Sequence, residues 1–241
     1  MFEESALSTP GRDPMVDSMR SLREILSAHA PVLLLDAAGV AVHAGWLEEN
    51  APARWSSVRE DAGTGIFHAL NVLKVPLEQA RAFVYCEGPG SILGIRTSAV
   101  AIRTWQVLRP RPVFAFRSLE LLAVARAQPG LTVIADARRQ QWHALTIGAD
   151  GKPGPMRRLP PEQLQPPLVM PADFRHWSAL PQQPVESVPY DLQALWDASI
   201  DAPLLREVAE PEAFLHEPPE YVTWTPRIHQ APQSQGDTRT A

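Results

Sequence analysis

The sequence predicts an α/β protein in which mixed sheets are flanked by helices. Three observations carry this. Residues 31–60 hold three short apolar or alternating runs separated by turn residues, the pattern of an antiparallel meander. The next apolar run, Arg81–Cys86, is reached only through a helical stretch, which is the way a parallel strand joins a sheet. The composition, 45% hydrophobic and 20% charged over 241 residues, is that of a globular chain long enough for a sizeable core.

The elements follow in order. Residues 1–14 read as a loose tail, and Met15–Ala28 has helical spacing through Met15, Met19, Leu22, Ile25 and Leu26. "PVLLLD" (Pro31–Asp36) is a continuous apolar strand, and "VAVHAGWL" (Val40–Leu47) is its hairpin partner across Ala37, Ala38 and Gly39. Ala53–Glu60 is a third strand, and Ala62–Leu73 a helix with Ile66, Leu70 and Leu73 on one side. After the strand Arg81–Cys86 comes the turn "GPGS", from which Ser91 caps a helix running to about Leu108. Pro112–Phe116 is another strand, Ser118 caps the helix "LELLAVARAQ", and Leu131–Asp136 and Gln141–Ala149 are strands about a charged turn. Beyond residue 150 stand sixteen of the 25 prolines, so that part reads as irregular with short elements only. Gln230–Ala241 reads as disordered, and no internal repeat is visible.

Composition narrows the function. The net charge of -5 disfavours tight nucleic-acid binding by the chain alone, although a local basic face can exist within an acidic total. The single cysteine, Cys86, lies in the apolar run "AFVYC" and reads as buried and reduced, as in a cytoplasmic protein. No apolar run reaches the roughly 18 residues of a membrane span, and the N-terminus has no signal-peptide pattern.

The turn "EGPGSILGIR" invites three catalytic readings, and spacing removes each. A phosphate-binding P-loop needs a lysine after its last glycine, and here Gly94 is followed by Ile95 and Arg96. Gly88, Gly90 and Gly94 are one residue too long for a dinucleotide fingerprint. Ser91 is not flanked by glycines as in a nucleophile elbow. What remains is a tight strand-to-helix corner, with Pro89 fixing φ and Ser91 capping.

The helix after the turn has an apolar side of Ile92, Ile95, Ala99 and Ile102, and a small-residue side of Gly94, Thr97, Ser98 and Ala101. Small residues allow a second helix to approach, from the same domain or from a partner. Asp36 and Asp136 both end strands, where carboxylates cap turns or hold a metal. The seven histidines lack metal-ligand spacing, and the seven tryptophans are dispersed.

These residues resemble a known family. "EGPGSILGIRTSAVAIRTWQVL" is similar to the Gly-Pro-Gly-Ser signature of the TsaB (YeaZ) family, related to TsaD. "VLLLDAAG", "FRSLELLA", "VIADARRQQWHAL" and "PPEYVTW" resemble further family segments in the family's order. The resemblance implies an actin-like ATPase (ribonuclease H-like) fold of two lobes with mixed sheets flanked by helices. The lobes would span 31–115 and 116–229, after an N-terminal tail and extra helix over 1–30 and before the tail at 230–241. It implies a cytoplasmic, non-catalytic subunit that pairs with a TsaD-like catalytic subunit. A TsaE-like ATPase is a further expected partner, and tRNA would be met only through the complex, in threonylcarbamoyl modification of a tRNA adenosine.

The expected signature residues are Gly88, Pro89, Gly90, Ser91, Gly94 and Arg96. The expected partner interface is Ile66, Leu70, Gly94, Thr97, Ser98 and Ala101, on the first-lobe helices. The resemblance also has departures: Ala37 and Ala38 replace a Thr-containing turn, Ile92-Leu93 replaces an aromatic-Thr pair, and Trp142-His143 replaces Val-Tyr. These imply no resident cofactor, with magnesium and ATP or ADP only at a shared interface. Two other functions fit the residues. One is a metal-dependent ATPase or phosphotransferase using Asp36 and Asp136. The other is a homodimeric interaction module.

Overall fold

A computed structural model describes residues 19–214. Helix α1 (Leu22–His29) starts at a capping box. The Ser21 hydroxyl accepts from the Glu24 N–H, and the Glu24 carboxylate accepts from the Ser21 N–H at 2.7 Å. Of the helix expected from Met15, the first four residues lie outside the described residues, and Met19–Ser21 precede α1.

The first lobe then forms. Strands β1 (Val32–Asp36), β2 (Val42–Leu47) and β3 (Arg54–Val58) make the expected antiparallel meander. Helix α2 (Ala62–Leu73) crosses to β4 (Ala82–Gly88), which pairs parallel to β1. Helix α3 (Ile92–Leu108) crosses to β5 (Val113–Arg117), parallel to β4. Helix α4 (Ser118–Arg126) leads into the second lobe. There β6 (Thr132–Asp136), β7 (Trp142–Thr146) and β8 (Arg157–Leu159) form a second antiparallel meander. Strand β9 (Leu168–Pro171) is parallel to β6, and β10 (Val185–Val188) is parallel to β9. Helix α5 (Leu192–Ser199) follows, and β11 (Arg206–Glu207) returns to the first sheet, antiparallel to β5.

The strand orders are β11-β5-β4-β1-β2-β3 and β10-β9-β6-β7-β8. Apart from β11, the two sheets match strand for strand, so the fold contains a duplication that the sequence hid. The physical reason lies in the crossovers. In the first lobe they are helices α2 and α3. In the second they are a three-residue 3-10 turn, Pro161–Gln163, and the loop 172–184. Pro160, Pro161, Pro166, Pro167, Pro171, Pro181 and Pro184 remove backbone donors and clash with a continuing helix, which disfavours long α-helices in these crossovers.

Residues alternate across β1. Leu33 and Leu35 pack with Ile66, Ala69 and Ile102 under α2 and α3, while Val32 and Leu34 enter a core shared by both lobes. Each such buried side chain contributes about 1.5–3 kcal/mol. Helices α4 and α5 pack against each other, and Leu119, Leu122, Leu195 and Trp196 belong to that shared core. Ser118 was expected to cap α4. It is instead the first helical residue, Arg117 stands at the cap, and the Ser118 hydroxyl donates to the Pro89 carbonyl at 2.6 Å. No helix among the described residues is long and apolar enough to cross a membrane.

Candidate functional site

Asp36 and Asp136 end the equivalent strands β1 and β6, so the duplication sets two carboxylates at matching points of the lobes. Their surroundings differ. Asp36 is buried. One oxygen accepts the Ala38 N–H at 2.8 Å, and the other accepts the Tyr190 hydroxyl at 2.9 Å. The Cys86 thiol lies close enough to Asp36 for each to influence the other's ionisation. Burial pushes the Asp36 carboxyl above its usual range, and nearby His43 and these hydrogen bonds only partly oppose it. The Cys86 thiol is pushed well above its usual value, first by burial and then by the Asp36 charge. It therefore lacks the accessible thiolate of a nucleophile. His43 lies edge-on to Tyr190 at 6.4 Å, and its Nε2 is buried without a hydrogen-bond partner.

Asp136 binds a different segment. It accepts the Arg138 N–H at 2.6 Å, the Ser178 N–H at 3.0 Å, the Ser178 hydroxyl at 2.8 Å and the Trp177 N–H. Burial alone would raise its carboxyl, but these donors hold it below the usual range. Both aspartates are thus committed to protein donors. No group of three or more acidic, His or Cys residues suited to a metal exists among the described residues. Hydrogen bonds from protein groups thus occupy oxygens of both carboxylates, and the turn of Ala37 and Ala38 after Asp36 offers no hydroxyl.

The glycine turn is a fitted corner. Gly88 and Gly90 have φ of 117° and 155°. The Ser91 N–H donates to the Ala38 carbonyl at 2.7 Å, and the Ser91 hydroxyl accepts from the Gly94 N–H at 3.3 Å. A Cβ on Gly90 would overlap the Ala38 carbonyl oxygen, and one on Gly94 that of Ala37. Two glycines therefore let the start of α3 lie against the turn after β1. That contact takes up the amide a helix-end anion would use. Arg96 stands exposed on α3. Beside the corner, Glu87 is buried and accepts from Arg117 at 3.0 Å and Arg206 at 2.7 Å, and the Phe214 N–H donates to the Glu87 carbonyl.

The expected partner interface needs correction. Ile66, Gly94 and Ser98 are buried within this chain: Ile66 packs in the core under α2, Gly94 lies against Ala37, and the Ser98 hydroxyl donates to the Gly94 carbonyl. Leu70 and Ala101 are partly buried against the same core. Thr97 is half-buried, with its hydroxyl donating to the Leu93 carbonyl. The outward face of α3 carries Leu93, Val100 and Val107 instead, 74%, 58% and 86% exposed, and neighbouring α2 exposes Phe67 and Val72. The seven-residue spacing of those three was the available signal. Nothing local in the sequence pointed to Tyr190, 154 positions from Asp36.

Residues 59–150 match the family model described as TsaD, tRNA N6-adenosine threonylcarbamoyltransferase. Among solved structures, the chain is similar to YeaZ from Pseudomonas aeruginosa, at 21% identity and a TM-score of 0.50, over 70% of this chain and 89% of that one. A second structure is described as an uncharacterized protein with similarity to peptidase YEAZ from Pseudomonas aeruginosa. It is 19% identical with a TM-score of 0.47, over 69% of this chain and 88% of that one. No curated protein matches. The two matching mixed sheets flanked by helices are the actin-like ATPase fold that the resemblance implied. The likeness is thus a segment shared with the TsaD model and a fold shared with YeaZ, at low identity.

Proposed function

We propose that this chain is a catalytically silent, TsaB-like cytoplasmic subunit. It pairs with a TsaD-like protein in threonylcarbamoyl modification of a tRNA adenosine. The observation that carries this is the exposed apolar stripe Leu93, Val100 and Val107 on α3, within the segment that matches the TsaD model. An exposed apolar row at one helical face marks an interaction surface. The commitment of Asp36 and Asp136 to protein donors supports a scaffold over a phosphotransferase.

Co-expression with the TsaD-like protein of the same genome tests this. A stable heterodimer is expected, together with loss of the tRNA modification when the gene is deleted. Absence of both would overturn the proposal. A mass of twice the chain by light scattering, unchanged by the TsaD-like protein, would favour the homodimeric module.

A further inference from the structure

The acidic total of the chain reverses locally at the β6–β7 turn. Arg138, Arg139 and Gln140 all adopt left-handed backbone conformations, with φ of 65°, 52° and 56°. L-residues visit this region singly as a rule, so three in succession are an outlier that a surrounding structure must hold. Asp136 holds it: the carboxylate that accepts the Arg138 N–H also accepts the N–H groups of Trp177 and Ser178. One aspartate thus ties a basic turn to a second loop. The Arg138 guanidinium lies over the Trp177 ring, 3.1 Å from its centroid, and Trp177 is still 55% exposed. Arg139 and Arg175, one and two positions along the chain from this pair, are exposed.

The acids around this face are largely spent. Asp136 serves backbone donors, Asp173 pairs with Arg59 and Glu186 pairs with Arg126. Glu162 remains, and it lines the cavity beside the turn. Arg138, Arg139 and Arg175 make no ion pair among the described residues. A cavity of about 410 Å³ adjoins the turn and is lined by Gln140, Glu162, Leu180, Gln182 and Gln183, among others.

We propose that the β6–β7 turn and the Trp177 loop form a docking face for single-stranded RNA. Guanidinium groups that make no ion pair suit phosphodiester oxygens, and the Arg138 group can turn from the Trp177 ring to a phosphate as a base takes up the indole. An exposed indole offers a stacking surface to an unpaired base, which a duplex or an acidic peptide does not supply. Primary amides carry both donor and acceptor, as base edges require. The choice of RNA over DNA rests on the function proposed above; the docking face itself does not.

The test is fluorescence anisotropy of the full chain with a labelled, unstructured RNA of about 12 nucleotides at about 50 mM salt. Trp177→Ala is expected to weaken binding at least about fivefold. Arg138→Gln with Arg139→Gln is expected to weaken it about tenfold or more and to lower the log-log salt slope by about one to two. Arg81→Gln, at an exposed arginine just before β4, is expected to leave it unchanged. Wild-type affinity in the Trp177→Ala chain overturns the proposal. So does equal competition by duplex RNA or polyglutamate, which would make the face a general anion surface. RNA binding without capture of the TsaD-like protein would fail the proposed function alone, and capture without RNA binding would fail this inference alone.

Discussion

The Tyr190 hydroxyl donates to Asp36 at 2.9 Å, joining the end of β1 in the first lobe to the residue that leads into α5. Tyr190 is itself buried, with its ring 5.0 Å from that of Phe174. Tyr190→Phe keeps this packing and removes only the donor. A buried acceptor that loses its partner costs about 1–3 kcal/mol. A lower urea midpoint with an unchanged slope is expected. Asp36→Asn combined with Tyr190→Phe should cost less than the two separate losses, because the partners are shared. Simple additivity in the double-mutant cycle would show that the pair is not coupled.

The two strand-end aspartates should answer pH with opposite signs. The folded state raises the Asp36 carboxyl above its ordinary value of 3.8. Its contribution is therefore full below that value and is lost as pH rises through the raised one. The folded state lowers the Asp136 carboxyl below the same ordinary value. Its contribution is present above that value and is lost as pH falls through the lowered one. Relative to wild type, Asp36→Asn should thus gain stability as pH climbs from about 4, and Asp136→Asn should gain as pH drops below about 4. Urea titrations of the three proteins across that range check this, and slopes of the same sign would refute it.

The glycine corner predicts a graded series. Gly94→Ala drives its Cβ into the Ala37 carbonyl oxygen, and relief requires moving either α3 or the turn after β1. A loss of about 1–3 kcal/mol is expected, as for other overpacked sites. Gly90→Ala should lose at least as much, because overlap with Ala38 is joined by a φ of 155° that side chains rarely adopt. Gly63→Ala, in α2 with nothing within 4 Å of the new Cβ, should be neutral or stabilising. Thermal melts rank the three, and equal midpoints would mean that the corner yields freely.

The first lobe was legible because its strands and helices each carry their own period. Helix Ala62–Leu73 and the Ser91 cap were read from spacing and capping chemistry, and the structure has them at those residues. The second lobe was not legible as a repeat, since Pro161–Gln163 stands where the first lobe has α2. Strands β9 and β10 are four residues each, too short to show alternation against proline punctuation. The site was half legible for a similar reason. Asp36 and Asp136 stood out at strand ends, but their partners Tyr190, Trp177 and Ser178 arrive from loops 41 to 154 positions away.

Ser98 and Val100 are two residues apart on α3 and face opposite ways. Ser98 is buried, its hydroxyl donating to the Gly94 carbonyl at 3.2 Å, while Val100 is 58% exposed. A bulky residue at each should therefore fail differently. Ser98→Phe forces a ring into the packed space that buries Ser98, so lost partner binding would follow from lost folding. Val100→Glu changes only the outward face, where surface substitutions usually move stability by no more than about 0.5 kcal/mol. A charge at the centre of an apolar contact nonetheless removes much of its affinity, because the carboxylate must be desolvated without a partner. The expected outcome is a Val100→Glu chain with a wild-type melting curve that no longer captures the TsaD-like protein. Ser98→Phe should instead melt early whatever partner is present. Capture retained by Val100→Glu would move the interface off this stripe.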